Sequence, residues 1–85
     1  VDRAEVEQRV RSVLTARGKM PIDVSQLDAT ASLYDAGMTS HSTAKVMLGL
    51  EDQFDLEFPD ELLERSVFDR ITTIVDAIEK LLIDS

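Results

Sequence analysis

Eighty-five residues, 44% of them hydrophobic and 31% charged, are enough for one small domain with a limited core, and the span 1–85 is read as that single domain. The absence of Cys excludes disulfides, thiolate metal sites and a cysteine nucleophile, so the fold must stand on packing alone. A formal net charge of -8 and a pI near 4.4 argue against binding a phosphate backbone, and charges interrupt every apolar run that could span a bilayer. A soluble, cytoplasmic monomer with neither nucleic-acid nor membrane partners is therefore expected.

Val6, Val10, Val13 and Leu14 recur at helical spacing, with Arg3, Glu7, Arg9 and Arg11 on the other side, which predicts an amphipathic first helix from about Asp2 to Arg17. Gly18 reads as its left-handed cap. From Lys19 to Thr39 the periodicity fails, Pro21 stops any helix, and the run reads as one long loop with a short turn around Ser25 to Leu27. Ile22, Val24, Leu27, Leu33, Tyr34 and Met38 are expected to pin it to the core.

A second helix is expected from about Ser40 to Gln53. Ala44, Val46, Met47, Leu48, Leu50 and Phe54 would form a wide buried stripe, which predicts a central helix. Gly49 within it is either tolerated at about 1 kcal/mol or needed for close helix contact. Pro59-Asp60-Glu61 is a helix-start signal for a short third helix through Leu62 and Leu63. Ile71, Ile74, Val75, Ile78, Leu81 and Leu82 give the clearest pattern, begun at Asp69 or at a Ser66-x-x-Asp69 capping signal. No segment alternates like a strand, so the expected fold is an all-α antiparallel four-helix bundle with a long loop between the first two helices.

Self-contained catalysis has little support in the residues. The one imidazole, His41, is the immediate neighbour of Ser40, and adjacent helical residues diverge too far to make a good dyad. Neither paired carboxylates nor metal-ligand spacing stands out, so a non-enzyme is expected, with a tiny Ser40/His41 hydrolase as a remote rival. Between Val46 and Glu64 there is no base, whereas Glu51, Asp52, Asp55, Glu57, Asp60, Glu61 and Glu64 all fall there. Such a flank is either a solvated face or a docking face that steers a basic partner.

The run Leu33-Tyr34-Asp35-Ala36-Gly37-Met38-Thr39-Ser40, the helix closing in Leu50-Glu51-Asp52-Gln53-Phe54, and the following Asp55-Leu56-Glu57-Phe58-Pro59-Asp60-Glu61 resemble the attachment segment of the acyl carrier protein family. The resemblance covers most of the chain from Leu33 onward. It implies the four-helix carrier architecture and a covalent 4'-phosphopantetheine on Ser40. It also implies three kinds of partner: a phosphopantetheinyl transferase, an acyl-loading enzyme and a downstream acyl-accepting enzyme. Met38, Thr39, His41, Ser42 and Lys45 would contact partners near the arm, and Glu51, Asp52, Asp55, Glu57, Asp60 and Glu61 would steer docking. Taken alone, Ser40 reads as a helix cap, work that Thr39 and Ser42 could share, and a plain helical interaction module is the rival of a different class.

Two departures bear on the subtype. The triplet Thr39-Ser40-His41 stands where the family usually has Asp-Ser-Leu, and Ser42 and Lys45 stand where fatty-acid carriers tend to hold acids. Together with the long stretch from Pro59 to Ile71, these are similar to stand-alone bacterial aminoacyl carriers loaded with glycine or alanine by amino acid:carrier protein ligases. A fatty-acid or polyketide carrier is the alternative.

Overall fold

The computed structural model describes residues 2–18 and 23–84, and the regular elements among them are all helical, with no strand. Helix α1 spans Arg3–Val13. The Asp2 carboxylate caps it by accepting the Ala4 N–H at 3.1 Å, and the chain then widens into a π-type turn, Leu14–Gly18. Gly18 is the last, buried residue of that turn. The backbone beyond it, with Pro21 and Ile22, lies outside the described residues.

Residues 23–39 form the described part of the long loop. Its short 3-10 turn is Val24–Gln26, one residue earlier than expected. Asp23 and Asp28 each fold the chain locally: Asp23 accepts from the Ser25 N–H and hydroxyl, Asp28 from those of Thr30. Both carboxyls are held below the ordinary aspartate range, Asp23 mainly by the Ser25 hydroxyl and Asp28 mainly by the Thr30 N–H. Arg11, expected on the solvent side of the first helix, instead donates to the carbonyls of Val24 (2.6 Å) and Leu27 (2.7 Å), tying the loop to α1. Val24, Leu33 and Met38 are buried as pins, and Gly37 turns the chain with φ 119°.

Helix α2, Ser40–Phe54, ends at Asp55 in the left-handed conformation (φ 52°, ψ 55°). Its buried stripe is narrower than expected: Val46, Gly49 and Leu50 face inward, Met47 and Phe54 are partly buried, and Ala44 and Leu48 are exposed. The reason is the helix's position. It is α1, not α2, that packs on both of the other long helices, so α2 needs only one apolar side. Gly49 lies at that contact. A methyl built there would sit 2.9 Å from Val13 Cγ1 and 3.2 Å from Arg17 Cγ, so the glycine serves close approach.

The expected third helix is a single 3-10 turn, Asp60–Leu62; Leu62 is partly buried and Leu63 exposed. Helix α3, Ile71–Asp84, buries Ile71, Ile74, Val75 and Ile78 against α1, with Leu81 and Leu82 packed at the edge. Arg3 joins Asp76 and Glu79 across this contact, and both carboxylates raise its pKa. The Ser66-x-x-Asp69 cap does not form. The Asp69 carboxylate instead accepts the Ser32 hydroxyl at 2.6 Å, and the Thr73 hydroxyl accepts the Arg70 N–H at 3.2 Å while donating to Val67 O at 2.7 Å. Leu33 N–H bonds to Asp69 O and Thr72 N–H to Ala29 O, so the loop is stapled to the start of α3. Phe58 and Phe68 meet edge to face, 5.4 Å between centroids, and close the core beneath the segment joining α2 to α3.

Candidate functional site

The loop before α2 delivers Ser40 to the first position of the helix, and its neighbour does the capping. Thr39, with extended backbone, accepts the Ser42 N–H on its hydroxyl oxygen at 3.0 Å and donates that hydroxyl to Ser42 Oγ. The Ser40 hydroxyl is exposed and has no hydrogen-bond partner among the described residues, which removes the reading of Ser40 as the cap. The Ser40 and His41 N–H groups belong to the first turn, where a helix has no acceptor of its own. They and the helix dipole favour an anion beside this hydroxyl. His41 is exposed and makes no bond to Ser40, so no nucleophile–base pair is formed.

An open groove of about 340 Å³ starts at Ser40 and runs over Thr43, Ala44, Met47 and Phe68 to Leu63. Tyr34 forms one wall, its hydroxyl accepting from Thr43 Oγ1 at 3.2 Å, and the Arg65 guanidinium lies over its ring, 3.8 Å from the centroid. Arg65 and Tyr34 were not among the expected site residues. The signal for Arg65 was available: it is the first base after the acidic run.

The expected contact residues divide. Thr39, His41 and Lys45 are exposed around Ser40, and Ser42 is half-buried on the cap. Met38 is not a contact residue: at 4% exposure it is a core pin, its N–H bonded to Leu33 O at 2.9 Å. Asp52, Asp55, Glu57, Asp60 and Glu61 are exposed, and none is in an ion pair among the described residues. Glu51 differs, because its carboxylate accepts the Phe58 N–H at 2.9 Å and thereby anchors the segment after α2. The ion pairs collect on α1, on α3 and at Asp69–Arg70 just before α3 instead, leaving the flank from Asp52 to Glu64 without an ion pair among the described residues.

With this geometry in place, residues 8–81 match the phosphopantetheine attachment site family. The chain belongs to that family. Its cofactor is 4'-phosphopantetheine, and the free hydroxyl, the unclaimed N–H groups and the adjoining groove fit such a group. An aminoacyl carrier protein of Agrobacterium fabrum (strain C58 / ATCC 33970) is 41% identical over 75 residues, covering 88% of this chain and 89% of that one. Among solved structures, the chain superposes on a carrier protein from Agrobacterium tumefaciens with a TM-score of 0.86 and 37% identity, covering 88% of this chain and 97% of that one. That carrier was crystallised with an engineered Bradyrhizobium japonicum glycine:carrier protein ligase and ATP. A solution structure from Agrobacterium tumefaciens matches with a TM-score of 0.74 and 38% identity, covering 91% and 93% of the two chains. Among the described residues, no helix is long and apolar enough to cross a membrane.

Proposed function

We propose that this chain is an aminoacyl carrier whose arm is attached at Ser40. The observation that carries the proposal is the division of labour at the start of α2: Thr39 caps the helix, and Ser40 Oγ is left exposed with no structural task. When bound, the arm supplies the thiol that this Cys-free chain lacks and so carries the acyl group as a thioester. The chain's own residues position and present it. Thr39 fixes the turn, the Ser40 and His41 N–H groups would be free to receive the phosphate, and Gly37 and Met38 hold the loop before the helix in place.

The group carried is glycine or alanine, loaded by an amino acid:carrier protein ligase after a phosphopantetheinyl transferase has installed the arm, and passed to a downstream acyl-accepting enzyme. Support comes from the carrier relatives described above and from Ser42 and Lys45, which stand where fatty-acid carriers hold acids. Thr39, His41, Ser42 and Lys45 form the surface read near the arm. The acids from Asp52 to Glu61 steer encounter, and Glu51 braces the segment that displays them. The chain performs no chemistry of its own, works in the cytoplasm as a monomeric single domain, and has the four-helix carrier architecture, with residues 60–70 in the place of the third helix.

Loading the phosphopantetheinylated protein side by side with an aminoacyl ligase and a malonyl transferase tests this reading. Glycine or alanine should be accepted and malonyl poorly so, and Lys45→Glu should narrow the gap. Efficient malonyl loading without aminoacyl loading would overturn the subtype.

A further inference from the structure

The groove beside Ser40 has one cationic residue in its lining, Arg65, and that residue is unusually placed. It lies immediately after a stretch rich in carboxylates, yet forms no ion pair among the described residues; its guanidinium lies instead over the Tyr34 ring, 3.8 Å from centroid to Cζ. Stacking engages the flat face of a guanidinium. The five N–H donors lie in the guanidinium plane, and none of them is hydrogen-bonded among the described residues, so they remain available to an anion. Tyr34 is itself held by Thr43 Oγ1, one turn into α2 from Ser40, so the platform beneath Arg65 is fixed relative to the serine.

We propose that Arg65 is the positioning residue for the arm. Its stacked guanidinium pairs with the phosphodiester carried on Ser40 and sets the direction in which the arm leaves along the groove. The inference rests on the carrier reading and adds to it a residue outside the attachment loop and α2. The charge pattern suits a single strong anion. Glu64 in the same lining repels a phosphate, while Arg65 and the N-terminal N–H groups of α2 attract one held on Ser40.

The test compares apo and phosphopantetheinylated protein by NMR, after intact mass has confirmed conversion. The Arg65 Nε–H resonance should move on conversion. That of Arg9, which lies 5.9 Å from the Phe54 ring and is already paired with Glu5, should not. In Arg65→Ala the phosphodiester 31P resonance should shift and the arm's carbons should relax as a free tail. Arg65→Lys, which keeps the charge but loses the planar fork, should fall between, and 1 M salt should shrink the differences. Arg65 is exposed, so unchanged melting of the apo variants separates loss of the pairing from loss of the fold. A still Arg65 resonance on conversion, with an unaltered 31P signal in Arg65→Ala, would overturn the assignment alone. Absence of any mass gain would overturn the carrier reading and this assignment with it.

Discussion

Val46 and Leu48 stand two residues apart on α2 and have opposite environments: Val46 is fully buried and Leu48 is 53% exposed. The same contrast runs the length of the helix. Its inner side, with Val46, Gly49 and Leu50, is pressed against α1 and the turn after it, whereas Ser40, His41, Ala44, Lys45 and Leu48 face outward. The inner side carries the stability, and the outer side carries the exposed Ser40 hydroxyl proposed as the attachment point. A helix that must both hold a small domain together and present a reactive group does so by dividing its circumference.

That division should be visible in substitutions. Leu50→Ala and Ile74→Ala each remove a fully buried side chain and should cost roughly 2–5 kcal/mol, close to unfolding for a domain of this size. Leu48→Ala should stay within about 0.5 kcal/mol, as surface changes do. Chemical denaturation of the three variants checks the contrast, and equal losses for Leu48 and Leu50 would erase it.

Gly49→Ala sharpens the inner side further. The added methyl meets the stiff, buried Val13 at 2.9 Å, and overpacking of about 1–3 kcal/mol should outweigh the roughly 1 kcal/mol that alanine contributes to helix propensity. A net loss of about 1 kcal/mol in thermal or urea melts is expected. A gain would mean that α1 and α2 have room to spare.

At the helix start the comparison is between neighbours. Thr39→Ala should cost about 1 kcal/mol through the lost cap, and Ser40→Ala should leave the melting temperature nearly unchanged. The smallest effect concerns the loop. Asp23 and Asp28 are more acidic folded than unfolded, so their contribution is complete above the ordinary aspartate pKa and is lost as the pH falls through the lower folded values. The double variant Asp23→Asn, Asp28→Asn should therefore lose part of the acid dependence below about pH 4, which a series of melts at pH 2 to 6 would show.

How much of this was legible in the sequence depends on how many alternatives each pattern allowed. The stripes of α1 and α3 were legible because charged residues bound them on both sides, and Val6, Val10, Val13, Leu14, Ile71, Ile74, Val75 and Ile78 are all buried. On α2 apolar residues occupy most of the circumference, so periodicity could not choose between Val46 and Leu48; contact with α1, distant in sequence, decides it. Long-range partners also explain the other departures. Asp69 was claimed by Ser32 rather than by a local cap, and Arg11 by two loop carbonyls. At the site, the family to which the run around Ser40 belongs was legible, as the match over residues 8–81 bears out. The capping by Thr39 is a local contact that turns on where the helix begins by a single residue, whereas Arg65 lying on Tyr34 depends on three-dimensional placement that no local pattern encodes.

The hydroxyl left free at the start of α2, that of Ser40, is proposed as the one that takes the arm. Wild type, Thr39→Ala and Ser40→Ala, each incubated with coenzyme A and a broad-specificity phosphopantetheinyl transferase, can be compared by intact mass. Wild type should gain a single phosphopantetheine, Thr39→Ala should gain it despite its weakened helix start, and Ser40→Ala should gain none while remaining folded. A folded Ser40→Ala protein that still gains the group would contradict the account.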